Sequence, residues 1–204
     1  MAVVDTFGAE FGLDPESAPL FRTKASAWRG LISALEAEDL MAAAHEGVPP
    51  EVQDLLRSPP AGGVWVPAVA FQYVFRALDA QVDDEQMRVI ARHSMQHGTM
   101  PILRPVIESL LRIMGTNPGG LIKRLPKVAH QQLQGIRLEI HDVQDRSFRA
   151  RLEYEHVNGL PRATFTFWQG VLWAVFDVCG VTPSDVHMSI DQQRSTCEYE
   201  FHWE

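Results

Sequence analysis

An α+β architecture, with an N-terminal helical half packed on a four-stranded antiparallel sheet of order ββ-α-ββ, follows from three observations. Between Ser26 and Leu133 the apolar residues recur at helical spacing, and Pro and Gly punctuate the segments. Beyond Gln134 the period switches to two. One apolar segment, residues 165–179, interrupts the alternating region and divides it into two pairs of strands. The chain has 204 residues, 46% of them apolar, enough for one sizeable core, and no internal repeat or long linker divides it. Residues 1–25 are read as an N-terminal arm with helical character. Residues 26–204 are read as a single domain, helical over 26–133 and ββαββ over 134–204.

Each element has a local cause. Trp28, Leu31, Ile32, Leu35 and Leu40 mark a first helix, and Val52, Leu55 and Leu56 a short second one that stops before Ser58-Pro59-Pro60. Trp65-Val66-Pro67 reads as a helix opening, with Pro67 at the start and Val69, Tyr73, Val74, Ala77 and Leu78 as its face. Asp83 and Asp84 precede Met87, Ile90 and Ala91, acids placed where a helix N-terminus favours them. The next helix runs over 101–114 and is closed by Gly115; another over 119–125 is broken by Pro126 and resumes to Leu133. Ile136, Leu138 and Ile140 then alternate with Arg137, Glu139 and His141, and Phe148, Ala150, Leu152 and Tyr154 with Arg149, Arg151, Glu153 and Glu155. That is a hairpin with one wet face, turning at residues 144–146. After the 165–179 helix, stopped by Gly180, Val186, Met188 and Ile190 form one strand of a second hairpin, which turns at 191–195. Cys197, Tyr199, Phe201 and Trp203 carry the core face of the other.

Charge and composition exclude several classes of function. Lys plus Arg number 18 against 26 Asp plus Glu, a net charge of −8, the wrong balance for binding nucleic acid through its phosphates. Residues 163–179 carry only the charge of Asp177 but are short and contain Gln169 and Gly170, which fits a buried core helix better than a membrane span. The N-terminus has no basic region followed by a continuous apolar one, so it does not read as a secretory signal. Cys179 and Cys197 cannot build a disulfide framework and read as small buried residues in a reducing, cytoplasmic compartment.

The residues that could carry chemistry are few. His93 and His97 stand four apart on a helix, so both imidazoles can face one point. The pair reads as a structural or surface pair, as part of a pocket wall, or as metal ligands; Ser94 stands where a zinc protease needs Glu. There is no Gly-x-Ser-x-Gly elbow, phosphate-binding loop or Rossmann fingerprint, and the glycines after Asn117-Pro118 read as a turn. The carboxylates Glu153, Glu155, Glu198, Glu200 and Glu204 alternate with core residues, as on a solvated sheet face. Lys123, Arg124 and Lys127, like Arg146, Arg149 and Arg151, read as a solvated rim or as a contact for an acidic partner or ligand carboxylate. Phe165, Phe167, Trp168, Leu172, Trp173 and Phe176 place bulky groups on more than one side of a single helix. That helix is therefore expected between the sheet and another layer, with core packing or an aromatic-lined pocket as the two readings.

Several short segments together resemble a paralogous family of uncharacterised proteins largely confined to myxobacteria. They are Ala25-Ser26-Ala27-Trp28-Arg29-Gly30-Leu31, Trp65-Val66-Pro67, residues 119–126, Gly135, Gly170, Cys179-Gly180-Val181 and Tyr199-Glu200-Phe201-His202-Trp203. That family is distantly similar to the ligand-binding superfold of haem nitric-oxide sensors, 4-vinyl-reductase-type sensory domains and small subunits of a vesicle-tethering complex. The resemblance implies helices on a twisted four-stranded antiparallel sheet around an apolar cavity, which holds haem, an aromatic effector or an acyl chain in different relatives. The Tyr-x-Ser-x-Arg clamp of the haem sensors has no match in this chain. The expected function is a non-enzymatic sensory or regulatory domain binding a small apolar, aromatic or haem-like ligand, its cofactor left open. The alternative is a protein-interaction module acting as a homodimer or signalling scaffold. His93, His97, Trp65, Tyr73, Trp168, Trp173 and Phe176 are the expected ligand-binding residues.

Overall fold

The computed structural model describes residues 7–14, 16–114 and 117–204. The chain enters through two 3-10 turns, Ala9–Phe11 and Ala18–Leu20, and a short strand β1 (Arg22–Lys24) that runs directly into α1 (Ala25–Ala37). Helix α1 buries Trp28, Leu31, Ile32 and Leu35, and the Trp28 indole donates to the Leu55 carbonyl at 2.8 Å. Helices α2 (Met41–His45) and α3 (Pro50–Arg57) follow, the latter with Pro50 in its first turn, where a missing N–H costs nothing.

Residues Trp65–Pro67 open no helix. They form β2, and α4 (Val69–Leu78) begins two residues later. The alternation Trp65, Val66, Pro67 buries only Val66, and β1 pairs with this strand, Thr23 opposite Val66. Pro67 is tolerated because β2 is an edge strand of the sheet β2-β1-β3. The segment expected as an arm likewise belongs to the core: Phe11, Leu13 and Phe21 are buried, and Arg22–Lys24 is the central strand of that small sheet. The physical reason is burial, since Phe7 and Phe11 pack on the ring of Tyr73. Residues 1–6 lie outside the described residues.

Helix α5 (Asp84–Ser94) is capped by Asp83, whose carboxylate accepts the Gln86 N–H at 2.8 Å. It passes through a π-helical turn, Met95–Thr99, into α6 (Met100–Met114). Pro101 has no N–H to offer the carbonyl four residues back, and the widened turn, in which the Met100 N–H bonds to the Met95 carbonyl, accommodates the gap. Gly115, the expected stop of α6, lies outside the described residues. Next come α7 (Pro118–Ile122), capped by Asn117, and α8 (Leu125–Gln132). Pro126 does not break a helix here; it stands in the first turn of α8, the break falls at Lys123 and Arg124, and Leu133 has left the helix for β3 (Leu133–Gln134).

The remainder follows the alternation. β4 (Ile136–His141) and β5 (Ser147–Tyr154) form one antiparallel hairpin, α9 (Arg162–Cys179) crosses, and β6 (Pro183–Asp191) and β7 (Thr196–Trp203) form the other. Gly180 ends α9 at φ 68°, a left-handed conformation that a side chain would strain. The strand order β4-β5-β7-β6 makes β5 and β7 central, with Phe148 opposite Phe201 and Leu152 opposite Cys197. The outer face is a charged ladder in which Arg137 meets Glu153 and Glu155, Arg149 meets Glu200, and Arg151 meets Glu198. These carboxylates are matched by arginines on a solvated face, as the alternation implies.

Helix α9 is the middle of the molecule. Phe176 stacks on Phe148 and Phe201 of the sheet, while Gly170 brings α9 against α5: a Cβ there would come within 2.7 Å of the Arg88 carbonyl. Across the same contact Arg92 grips Asp177 with two bonds of 2.8 Å, and Arg162 pairs with Asp84.

Candidate functional site

The site follows from an imbalance of side-chain size around α9. Phe165, Leu172 and Phe176, spaced seven and four apart, are fully buried on its sheet-facing side. Val171, Val175 and Val178, at the same helical spacing, face the helical half, where short side chains leave the space unfilled. The result is an apolar cavity of about 160 Å³ flanked by the π-turn and α6 on one side and by α7, α8 and the start of β4 on another. A void of this size is large enough for a benzene-sized molecule. Met95 and Met100 contribute adaptable walls.

Polar groups border it, Ser94, Thr99 and Gln132 among them. The indole N–H of Trp168 donates to the Tyr154 hydroxyl at 2.7 Å, and Gln72 accepts from Thr164 Oγ1 at 2.5 Å. Burial drives the Tyr154 phenol far above its ordinary range, so it stays protonated. Thr23 donates to the Gln132 carbonyl at 3.3 Å, and Arg124, exposed, stands at the rim. Among the described residues, no histidine, cysteine or carboxylate lines the cavity.

Of the seven residues expected at the site, Trp168 alone lines this cavity. Tyr73 is buried elsewhere, its hydroxyl accepting the Gly8 N–H at 3.1 Å. Trp65 is covered by the Lys24 ammonium, 3.8 Å from the ring centre. Trp173 lies beside the Arg92 guanidinium, and Phe176 fills the core between α9 and the sheet. Tyr154 and Gln72 escape sequence reasoning as wall residues, whereas Arg124 belongs to the basic cluster read as a rim or ligand contact. The one signal for Gln72 is a lone carboxamide inside the apolar run from Val69 to Phe75.

His93 and His97 come together as their spacing requires, ring centres 4.3 Å apart, but His93 reaches back to Ser33 Oγ at 3.4 Å on α1 and His97 is exposed. The neighbouring Ser94, Met95 and Thr99 face the cavity instead, since each helical step turns the side chain by about 100°. Among the described residues no cluster of three or more His, Cys, Asp or Glu could hold a metal. Burial, and then the charge of His97, hold the His93 pKa below 6.5 despite Glu38. The unfolded chain therefore takes up this proton first, and stability falls as pH drops below 6.5 until the folded-state imidazole is also protonated. Thermal melts across that range are expected to show a shallower decline for His93→Gln than for the parent; equal slopes would remove the role of the pair.

No protein-family model matches the chain, and no curated protein matches it by sequence. Solved structures do match. The Fe(II) unliganded H-NOX protein from K. algicida superposes with a TM-score of 0.60 at 10% identity, over 89% of this chain and 96% of that one. The chain has an H-NOX-like fold. An oxygen-binding H-NOX domain related to soluble guanylate cyclases gives 0.59 at 10% identity, covering 89% and 95% of the two chains. An H-NOX structure solved to probe the function of heme distortion gives 0.60 with the same identity and coverage. No helix of the described residues is long and apolar enough to cross a membrane.

The cavity of this H-NOX-like chain does not fit haem. Haem iron is held by His, Cys, Tyr or a Met with a His partner. Here no imidazole or thiolate borders the cavity among the described residues, and the Tyr154 oxygen is engaged by Trp168. The volume of about 160 Å³ falls below the roughly 300 Å³ at which pockets for larger organic ligands begin.

Proposed function

We propose that this chain is a non-enzymatic sensory or regulatory domain, cytoplasmic and of the myxobacterial paralogous type, that holds a small apolar or aromatic molecule in the cavity between its helices and α9. The observation that carries this reading is a partly enclosed apolar space walled by elements from both halves of the chain, with a few polar groups at its border. A group able to move a proton at neutral pH is missing from its described walls, and Tyr154 is locked in its protonated form, which favours binding over catalysis. The H-NOX-like fold supports a sensory role by analogy only.

Native against denaturing mass spectrometry of freshly purified protein reads any bound molecule directly. Thermal melts with benzene, toluene and indole test the empty form. At least one of these is expected to raise the melting temperature in a concentration-dependent way. Val171→Phe, which fills the cavity, is expected to raise the intrinsic stability by about 1 kcal/mol and abolish the ligand-induced shift. Absence of bound mass together with no shift from any probe would end the proposal.

A further inference from the structure

We infer that the occupant of this cavity is a neutral, compact aromatic or cyclic molecule bearing a hydrogen-bond acceptor oxygen, a ketone, ester or ether, docked on the hydroxyl of Tyr154. The inference rests on the cavity reading above and names its ligand class. A phenol has one proton to donate and two lone pairs to receive. At Tyr154 the receiving side is engaged, since Trp168 Nε1 donates to it at 2.7 Å. Gln72 is committed through Oε1 to the Thr164 hydroxyl, so the side of its amide left over is the N–H₂. The Tyr154 proton therefore points away from the Trp168 N–H, and no hydrogen bond donated by this hydroxyl occurs among the described residues.

Tyr154 is 4% exposed and Gln72 1%, so bulk solvent does not satisfy these donors. A buried donor without a partner is costly, and the space it borders is the cavity. The wall carries no ionised acceptor: Tyr154 O–H and the Gln72 amide offer protons, Thr23 donates to the Gln132 carbonyl, Ser94 and Thr99 add hydroxyls and Gln132 a carboxamide, and no carboxylate is present among the described lining residues. A ligand presenting an oxygen lone pair is complementary to the Tyr154 proton. A carboxylate is disfavoured because its charge would be buried without a cation, the Arg124 guanidinium standing at the exposed rim. The volume suits roughly a single ring with a short substituent.

Acetophenone and α-methylstyrene have nearly the same shape and differ in C=O against C=CH₂, which makes them the probe pair. Calorimetric titration of the full chain is expected to show Tyr154→Phe weakening acetophenone about tenfold, the loss of one hydrogen bond in an apolar site, while α-methylstyrene binds as before or slightly more tightly. Equal effects on both probes, or no effect on acetophenone, would overturn the assignment while leaving the cavity reading intact. Failure of the parent protein to bind either probe would overturn the cavity reading and this assignment with it. Should Tyr154→Phe not fold, because Trp168 loses its acceptor, the carbonyl stretch of acetophenone bound to the parent protein reads the same bond. It is expected below the frequency in hexane, and a hexane-like value would refute the contact.

Discussion

Replacing Gly30 with alanine is expected to destabilise the domain by a net 2 kcal/mol or more, at least about 4–8 °C in melting temperature for a chain of this size. On helix α1 alone the change would be favourable by about 1 kcal/mol, because alanine propagates a helix better than glycine. The tertiary contact reverses the sign. A Cβ at Gly30 would stand 2.2 Å from the Ser94 carbonyl oxygen and 2.8 Å from Gly98 Cα, both backbone atoms that no rotamer change can move. Gly98 has the reciprocal constraint, with 2.5 Å to the Ser26 carbonyl. The two segments must separate, and the π-turn carrying Met95 and Thr99 moves with them, so probe binding in the cavity is expected to weaken as well. Gly63→Ala is the control, since a Cβ there meets nothing within 4 Å and the backbone is not left-handed. Thermal melts of the two variants side by side decide the matter. Similar midpoints would mean that α1 does not cross the π-turn as described.

Phe176→Ala carries the largest expected loss, about 3–5 kcal/mol. That is a large share of the roughly 5–15 kcal/mol available to a folded domain. Phe176 is fully buried, with the rings of Phe201 and Trp203 centred 5.5 Å away and that of Phe148 at 6.0 Å. Truncation removes the transfer energy of the ring and leaves a hole that the sheet and α9, fixed by their other contacts, cannot close. Trp173→Ala, three residues earlier and only partly buried beside Arg92, is expected to cost far less, with about 1 kcal/mol for its cation–π contact. Urea unfolding of both variants measures the difference. A loss of 1 kcal/mol or less at Phe176 would be incompatible with α9 seated on the sheet.

What could be read in advance differs from element to element for a physical reason. The hairpins β4–β5 and β6–β7 were legible because a sheet with one buried face writes its orientation into every second residue. Helix α9 was legible as a middle layer because Phe165 and Phe167, about 200° apart around a helix, cannot both be buried on a single side of it. Strands β1, β2 and β3 were not, since two or three residues hold no period and their partners lie far away in the chain, Thr23 bonding to Gln132 across 109 positions. Trp65-Val66-Pro67 was misread for the same reason: Pro67 suits a helix start and an edge strand equally, and only pairing with β1 decides between them.

The site divides along the same line. The sequence by itself determined the two periodicities, hence the α+β class and the order ββ-α-ββ, the burial of α9, and the nearness of His93 to His97, because each depends on repeats or spacings within a few residues. Only the tertiary structure decided which way that histidine pair faces, that Trp168 alone of the expected residues borders the cavity, and that Tyr154 and Gln72 join it there. Helical spacing fixes which side chains are neighbours but not the phase of the helix against the rest of the molecule. A cavity, likewise, is a shortfall of volume between elements distant in the chain, here a valine stripe on α9 facing α6 and α8, and no local stretch of residues encodes it.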